Sequence, residues 1–163
     1  MKQITRRQFL GAASALAAIP ALTARPEFRL NYILSSSMYG TLPLKTILPE
    51  VAKTGSNTID IWPRVHGNQR EQMEKMGHKK FTAMLKQHRI GLGCITRYDL
   101  GPFGLQKEMK VAQKLGTKVL VCGGRGRKGL KGAELKAEIK KFSELMKPPL
   151  ATAKAAGVTI AIE

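Results

Sequence analysis

Apolar residues along the chain follow two alternating rhythms. Short runs rich in β-branched and aliphatic residues, Phe28 to Leu34, Thr58 to Trp62, Leu92 to Thr96, Lys118 to Cys122 and Val158 to Ile162, predict strands. Between them, apolar side chains recur every three or four residues. Leu44, Ile47, Leu48 and Val51 mark a helix over Leu44 to Lys53, and Met73, Met76, Phe81, Met84 and Leu85 another over Gln69 to His88. Gln106 to Leu115 and Glu134 to Ala156 complete the set; Pro148 and Pro149 are expected to kink or split the last. The expected order is strand then helix, four times over, followed by a fifth strand. Such alternation means a parallel sheet with right-handed crossovers.

A doubly wound sheet and a (β/α) barrel both satisfy that order, so the strand faces decide. In the last strand Val158, Ile160 and Ile162 point one way, and Thr159, Ala161 and Glu163 the other. The second strand repeats the design, with Ile59 and Ile61 opposed to Thr58, Asp60 and Trp62. Doubly wound strands are apolar on both faces because helices cover both, whereas a barrel strand carries polar groups toward its lumen at the C-terminal end. The α/β class is therefore read as a partial (β/α)8 barrel.

The first two dozen residues stand apart from this pattern. Lys2, Arg6 and Arg7 form a basic start, Phe9 to Ala18 is a short apolar stretch, and Pro20 to Ala24 is a zone of small residues suited to cleavage. Thr5 to Leu10, with its paired arginines before Gln8, Phe9 and Leu10, resembles the twin-arginine export signature. That resemblance implies residues 1–24 as a signal peptide, export by the twin-arginine route and a periplasmic location, with no membrane association beyond export.

Composition changes this picture in one respect. The 163 residues carry 28 Lys plus Arg against 11 Asp plus Glu, a formal charge of +17. Removing Lys2, Arg6 and Arg7 with a leader takes away only three of those cations, so the excess belongs to the domain. Such a balance bears on association with anions rather than on fold. The two cysteines, Cys94 and Cys122, fall in adjacent predicted strands and are expected to be buried thiols, because a bridge between neighbouring parallel strands is strained.

The segments Thr58 to His66, Gly91 to Asp99, Lys118 to Gly124 and Ala156 to Glu163 together resemble the sugar phosphate isomerase/epimerase family with its xylose-isomerase-like TIM barrel. The resemblance covers about Phe28 to Glu163. It implies that Glu163, closing the fifth strand, is one ligand of a divalent ion (manganese, magnesium, cobalt or zinc) and a catalytic carboxylate. The ion would polarise a sugar carbonyl while hydrogen moves on the adjacent carbon. A closed barrel has eight strands and about 250 residues, so residues 25–163 are expected to be the N-terminal portion of one, inactive and metal-poor alone. A half-barrel completed by self-association is the alternative.

Further candidates follow the predicted strand ends. Trp62 offers a sugar an apolar wall and His66 a hydrogen bond; Arg97 offers a fork for phosphate or carboxylate, or a partner for Asp99; Tyr98 and Ser35 to Ser37 offer hydroxyls. Gly123 to Gly129 matches GxGxxG at Gly124, Gly126 and Gly129, but its three cations and the lack of an acid at the dinucleotide spacing leave only a cationic loop in which Arg125 meets a phosphate. The expected ligand is a small sugar or sugar phosphate. The charge keeps polyanion binding, including an apurinic-site-endonuclease-like barrel, as an alternative. The strand ends at Thr96 to Tyr98 and Gly123 to Arg125 lack the histidines which that branch resembles, and nucleic acid is not favoured. A non-catalytic sugar-binding barrel is the third reading.

Overall fold

Five strands run parallel in a single sheet in the order in which the chain supplies them. The computed structural model describes residues 30–163. The export signature and the first two residues of the expected first strand, Phe28 and Arg29, lie outside the described residues. The strands are β1 (Leu34–Ser35), β2 (Thr58–Ile61), β3 (Gly91–Thr96), β4 (Val119–Cys122) and β5 (Thr159–Ile162). A doubly wound sheet reverses its strand order at a switch point, whereas here every crossover steps to the next position, as in a barrel.

The helices between them are α1 (Leu44–Lys53), α2 (Gln69–Met76), α3 (His78–Gln87), α4 (Gln106–Leu115) and α5 (Gly132–Ala156). One expected helix, Gln69 to His88, is thus two, and the described α-helices number five, not four. Gly77 makes the break, with φ 84° and ψ 149°, a conformation that costs glycine little and any other residue much. Its N–H closes α2 on the carbonyls of Met73 and Glu74, and its own carbonyl accepts Phe81 N at 3.1 Å to open α3. The opposite correction applies to α5, which Pro148 and Pro149 do not split. Two adjacent prolines remove two donors from a helix of 25 residues, and the remaining turns carry it through.

The first strand is also shorter than expected. Leu30 to Ile33 make no ladder, and the Tyr32 carbonyl accepts Ser56 Oγ at 2.8 Å and Thr58 Oγ1 at 3.3 Å instead. Side-chain hydroxyls have taken the place of a strand partner.

One face of the sheet and the helices enclose a single core. Leu44, Ile47, Leu48 and Val51 of α1, Ile59 and Ile61 of β2, Met73 of α2, Phe81 of α3 and Met109 of α4 have no exposed surface. Burial of each such side chain contributes roughly 1.5–3 kcal/mol. Gln69, equally buried, donates to the carbonyls of Gly40 and Leu42 at 2.8 and 3.0 Å and so holds the loop before α1 against α2.

The pairing of β2 with β3 skips one residue. Ile59 opposes Leu92 and Asp60 opposes Cys94, leaving Gly93 unpaired. A Cβ on Gly93 would come within 2.9 Å of the Ile33 side chain, so only glycine fits without displacing it. Beyond this skip Asp60 lies opposite Cys94, on the face that Thr96 shares, and the rim of the sheet depends on that.

Candidate functional site

All strand C-termini of a parallel sheet open on the same side, and the loops that follow them carry the candidate residues. After β1, Ser36 Oγ accepts Trp62 N at 3.0 Å and so ties the exit of β2 to that of β1. After β2, the Trp62 indole turns back toward its own strand, and its Nε1 donates to Asp60 Oδ2 at 2.6 Å. Asp60 also accepts Thr96 N at 3.0 Å on Oδ1 and Thr96 Oγ1 at 2.7 Å on Oδ2.

Asp60 is only 7% exposed. Burial raises its carboxyl pKa above the ordinary value, while hydrogen bonds from Thr96, Cys94 and Trp62 pull the other way without cancelling it. Both cysteines are free and buried. Burial and the neighbouring Asp60 push the Cys94 thiol far above the usual range, and burial raises Cys122 as well, so neither thiol is a nucleophile here.

Around the indole stand two more rings. Tyr98 meets Trp62 edge-on at 5.1 Å between centroids and 82° between planes, and His66 does so at 5.7 Å and 87°. Ser37, Trp62, His66 and Tyr98 line an open cavity of about 330 Å³. The far edge is reached through the Tyr98 hydroxyl, which donates to Glu163 Oε2. Glu163 continues the ladder of β5: its N donates to the Cys122 carbonyl at 3.0 Å and its carbonyl accepts Gly124 N at 2.8 Å.

Of Trp62, His66, Arg97, Tyr98, Arg125 and Glu163, four therefore form one constellation: Trp62, His66 and Tyr98 around the cavity, and Glu163 through Tyr98. The other two face elsewhere. Arg97 places Nε and Nη2 on the Asp99 carboxylate at 2.9 and 2.7 Å, and Nη1 on Glu108 Oε2 at 2.6 Å. Its fork is occupied by acids of the protein itself. Arg125 lies along the loop after β3, its Nη2 donating to the carbonyls of Tyr98 and Asp99 at 3.3 Å each. The glycine-rich stretch around it stays exposed and α5 begins only at Gly132, so it does not enter the helix as a dinucleotide loop does.

Behind Arg97 is a buried ion cluster that strand and helix patterns did not reveal. Glu108, 3% exposed, also accepts Arg70 Nε at 2.5 Å and Nη2 at 3.1 Å, while Arg70 Nη1 reaches Glu74 at 2.9 Å. Arg70 holds the Glu74 carboxyl below its ordinary pKa, and Arg97 does the same for Asp99. The signal for Glu108 was present, since it shares the helical stripe of Leu105, Met109 and Ala112, all fully buried. Asp60 was legible as a carboxylate on the non-core face, but its partner on another strand was not.

Among the described residues no three His, Cys, Asp or Glu side chains gather where one ion could bind them. Glu163 stands alone as a carboxylate at the end of β5, so the residues described do not by themselves form a metal site.

No protein-family profile matches the sequence, and no curated protein matches it. Solved structures do match the fold. An IolI protein with a bound zinc atom aligns at a TM-score of 0.62 and 19% identity, over 82% of this chain and 51% of that one. A sugar phosphate isomerase/epimerase from Parabacteroides distasonis aligns at 0.55 and 16%, over 88% and 55%. A xylose isomerase domain protein from Alicyclobacillus acidocaldarius aligns at 0.54 and 11%, over 82% and 50%. The chain spans about half the length of these structures, and its fold is part of a xylose-isomerase-like TIM barrel.

Proposed function

We propose that this chain is the sugar-binding portion of a sugar or sugar phosphate isomerase or epimerase. The observation that carries the reading is the rim cavity of Ser37, Trp62, His66 and Tyr98, with the Glu163 carboxylate held by the Tyr98 hydroxyl. A sugar presents an apolar C–H face and a belt of hydroxyls. The indole matches the first; the serine and tyrosine hydroxyls, the imidazole and the carboxylate match the second.

Isomerising or epimerising a sugar moves a hydrogen beside a carbonyl, which needs a group able to take and return a proton. Glu163 is the carboxylate at the right edge, with Oε2 held by Tyr98 and Oε1 accepting no hydrogen bond among the described residues. The divalent ion implied by the family resemblance would take Glu163 as one ligand and would polarise the carbonyl. Export by the twin-arginine route is part of the same proposal and rests on Arg6, Arg7, Phe9 and Leu10.

The test follows solvent deuterium into aldoses, ketoses and their phosphates by NMR, with the full chain and added manganese, magnesium, cobalt or zinc. Saturable sugar binding without incorporation is the expected result for this chain by itself, since a portion of a barrel holds one of several metal ligands; incorporation at the carbon beside the carbonyl, abolished by Glu163→Gln, would show that these residues suffice for the reaction. Sugar binding that Glu163→Gln and added metal both leave unchanged would replace the isomerase with a sugar-binding barrel. Binding is followed through Trp62, the single tryptophan of the chain. No response to any sugar or sugar phosphate would end the carbohydrate reading.

A further inference from the structure

Two pairs of residues, each two apart on its strand, are cross-linked at the rim. Asp60 and Trp62 leave β2 on one face; Thr96 and Tyr98 leave β3 on the same side of the sheet. Thr96 bonds Asp60 twice, Asp60 bonds the Trp62 indole, and the indole meets Tyr98 edge-on at 5.1 Å. The circuit is closed by the skip at Gly93, which sets Asp60 opposite Cys94 and so on the face that Thr96, two residues further along β3, shares.

We infer that Asp60 is the positioning residue of the cavity: its carboxylate fixes the Trp62 indole, and through it the Tyr98 and His66 edges, in the orientation that receives a sugar face. The ligand in this statement rests on the carbohydrate reading above; the bond does not. A tryptophan at a strand exit has several staggered side-chain rotamers open to it. The bond from Nε1 selects the one folded over the strand end.

The chemistry explains why an acid stands there. Trp62 Nε1 and Thr96 N can only donate, and Thr96 Oγ1 donates its proton to Asp60, so the centre must be a group with acceptors on both atoms. An asparagine would turn its NH2 toward one of those donors. Burying a carboxylate away from cations is costly, and among the described residues no Lys, Arg or His pairs with Asp60. Such a group contributes little to stability and is retained for what it orients.

The single tryptophan makes the bond directly visible. With 15N-labelled indole the protein shows one indole N–H resonance, expected to lie downfield and exchange slowly with solvent. In Asp60→Asn it should move upfield and exchange at least about tenfold faster, and calorimetric sugar affinity should fall about tenfold while unfolding stays cooperative. Thr96→Val, which keeps both the Thr96 N–H and the indole bond, should hold affinity within about threefold. If Asp60→Asn does not fold, Trp62→Phe keeps an aromatic wall without an N–H for Asp60 and should show the same loss. An unmoved indole resonance in Asp60→Asn, or wild-type affinity in Trp62→Phe, overturns the inference. Absence of sugar binding in the wild type refutes the carbohydrate reading and leaves the indole exchange to decide the role of Asp60.

Discussion

The Tyr98 hydroxyl donates a hydrogen bond to Glu163 Oε2, joining the exit of β3 to that of β5 across the strand between them. Gly123 lies under the ring, where an added Cβ would sit 3.7 Å from Tyr98 Cδ1, so the phenol passes over the exit of β4 to reach the carboxylate. The Tyr98 ring that lines the aromatic cavity and the Glu163 carboxylate act as one unit through this contact.

Tyr98→Phe tests that unit. The ring and its edge contact with Trp62 remain, so unfolding free energy should change by less than about 0.5 kcal/mol. A hydrogen bond to a charged group is lost, and sugar affinity should fall by about tenfold. Calorimetric titration checks this, and an unchanged affinity would show that the hydroxyl serves only to tether Glu163.

Glu108→Ala should be among the most destabilising single changes in the chain. It leaves Arg70, 10% exposed, with Glu74 alone and Arg97, 16% exposed, with Asp99 alone, and breaking a buried pair costs roughly 3–5 kcal/mol. Glu144→Ala removes an ion pair whose side chains are 69% and 58% exposed and should cost no more than about 0.5 kcal/mol. Urea denaturation of the two variants side by side reads the difference; equal midpoints would refute the buried cluster as a structural tie.

Acid should loosen the same cluster. Arg70 lowers the pKa of Glu74 and Arg97 that of Asp99, each by hydrogen bonding. A carboxyl with a depressed folded value contributes stability above its unfolded value of about 4 and loses it as pH falls through the folded value. Urea midpoints should therefore decline below about pH 4, and less steeply in Asp99→Asn. A variant as acid-sensitive as the wild type would contradict this.

Asp60 should slope the opposite way. Its raised folded pKa means that the folded chain holds the proton more tightly, so its contribution is present at low pH and is lost as pH rises through the folded value. The difference in stability between wild type and Asp60→Asn, measured from pH 3 to 7, should shift steadily in favour of the variant as pH rises. A flat difference would mean that burial does not perturb this carboxyl.

Local pattern made much of this molecule readable. The helical spacing of Leu44, Ile47, Leu48 and Val51 placed all four in the core, and the alternation of Ile59 and Ile61 with Asp60 and Trp62 separated the core face from the rim face of β2. Those features depend on residues a few positions apart, where backbone geometry alone sets direction. The break at Gly77 was missed because an apolar period runs on through a glycine whose φ is visible only in three dimensions.

Contacts between distant segments depend on register, and register is a collective property of the folded sheet. The skip at Gly93 sets Asp60 opposite Cys94, on the face that Thr96 shares, and its carboxylate reaches Thr96 over 36 residues; Arg70 of α2 reaches Glu108 of α4 over 38; and the parallel order of β3, β4 and β5 lets Tyr98 reach Glu163 over 65. The chain's own residues dictated which elements form and which faces they bury. Packing assigned the distant polar partners: Asp60 went to Thr96, Arg70 to Glu108, and Tyr98 to Glu163. A hydrogen bond requires two groups within about 3 Å of each other, and no short window of sequence contains both.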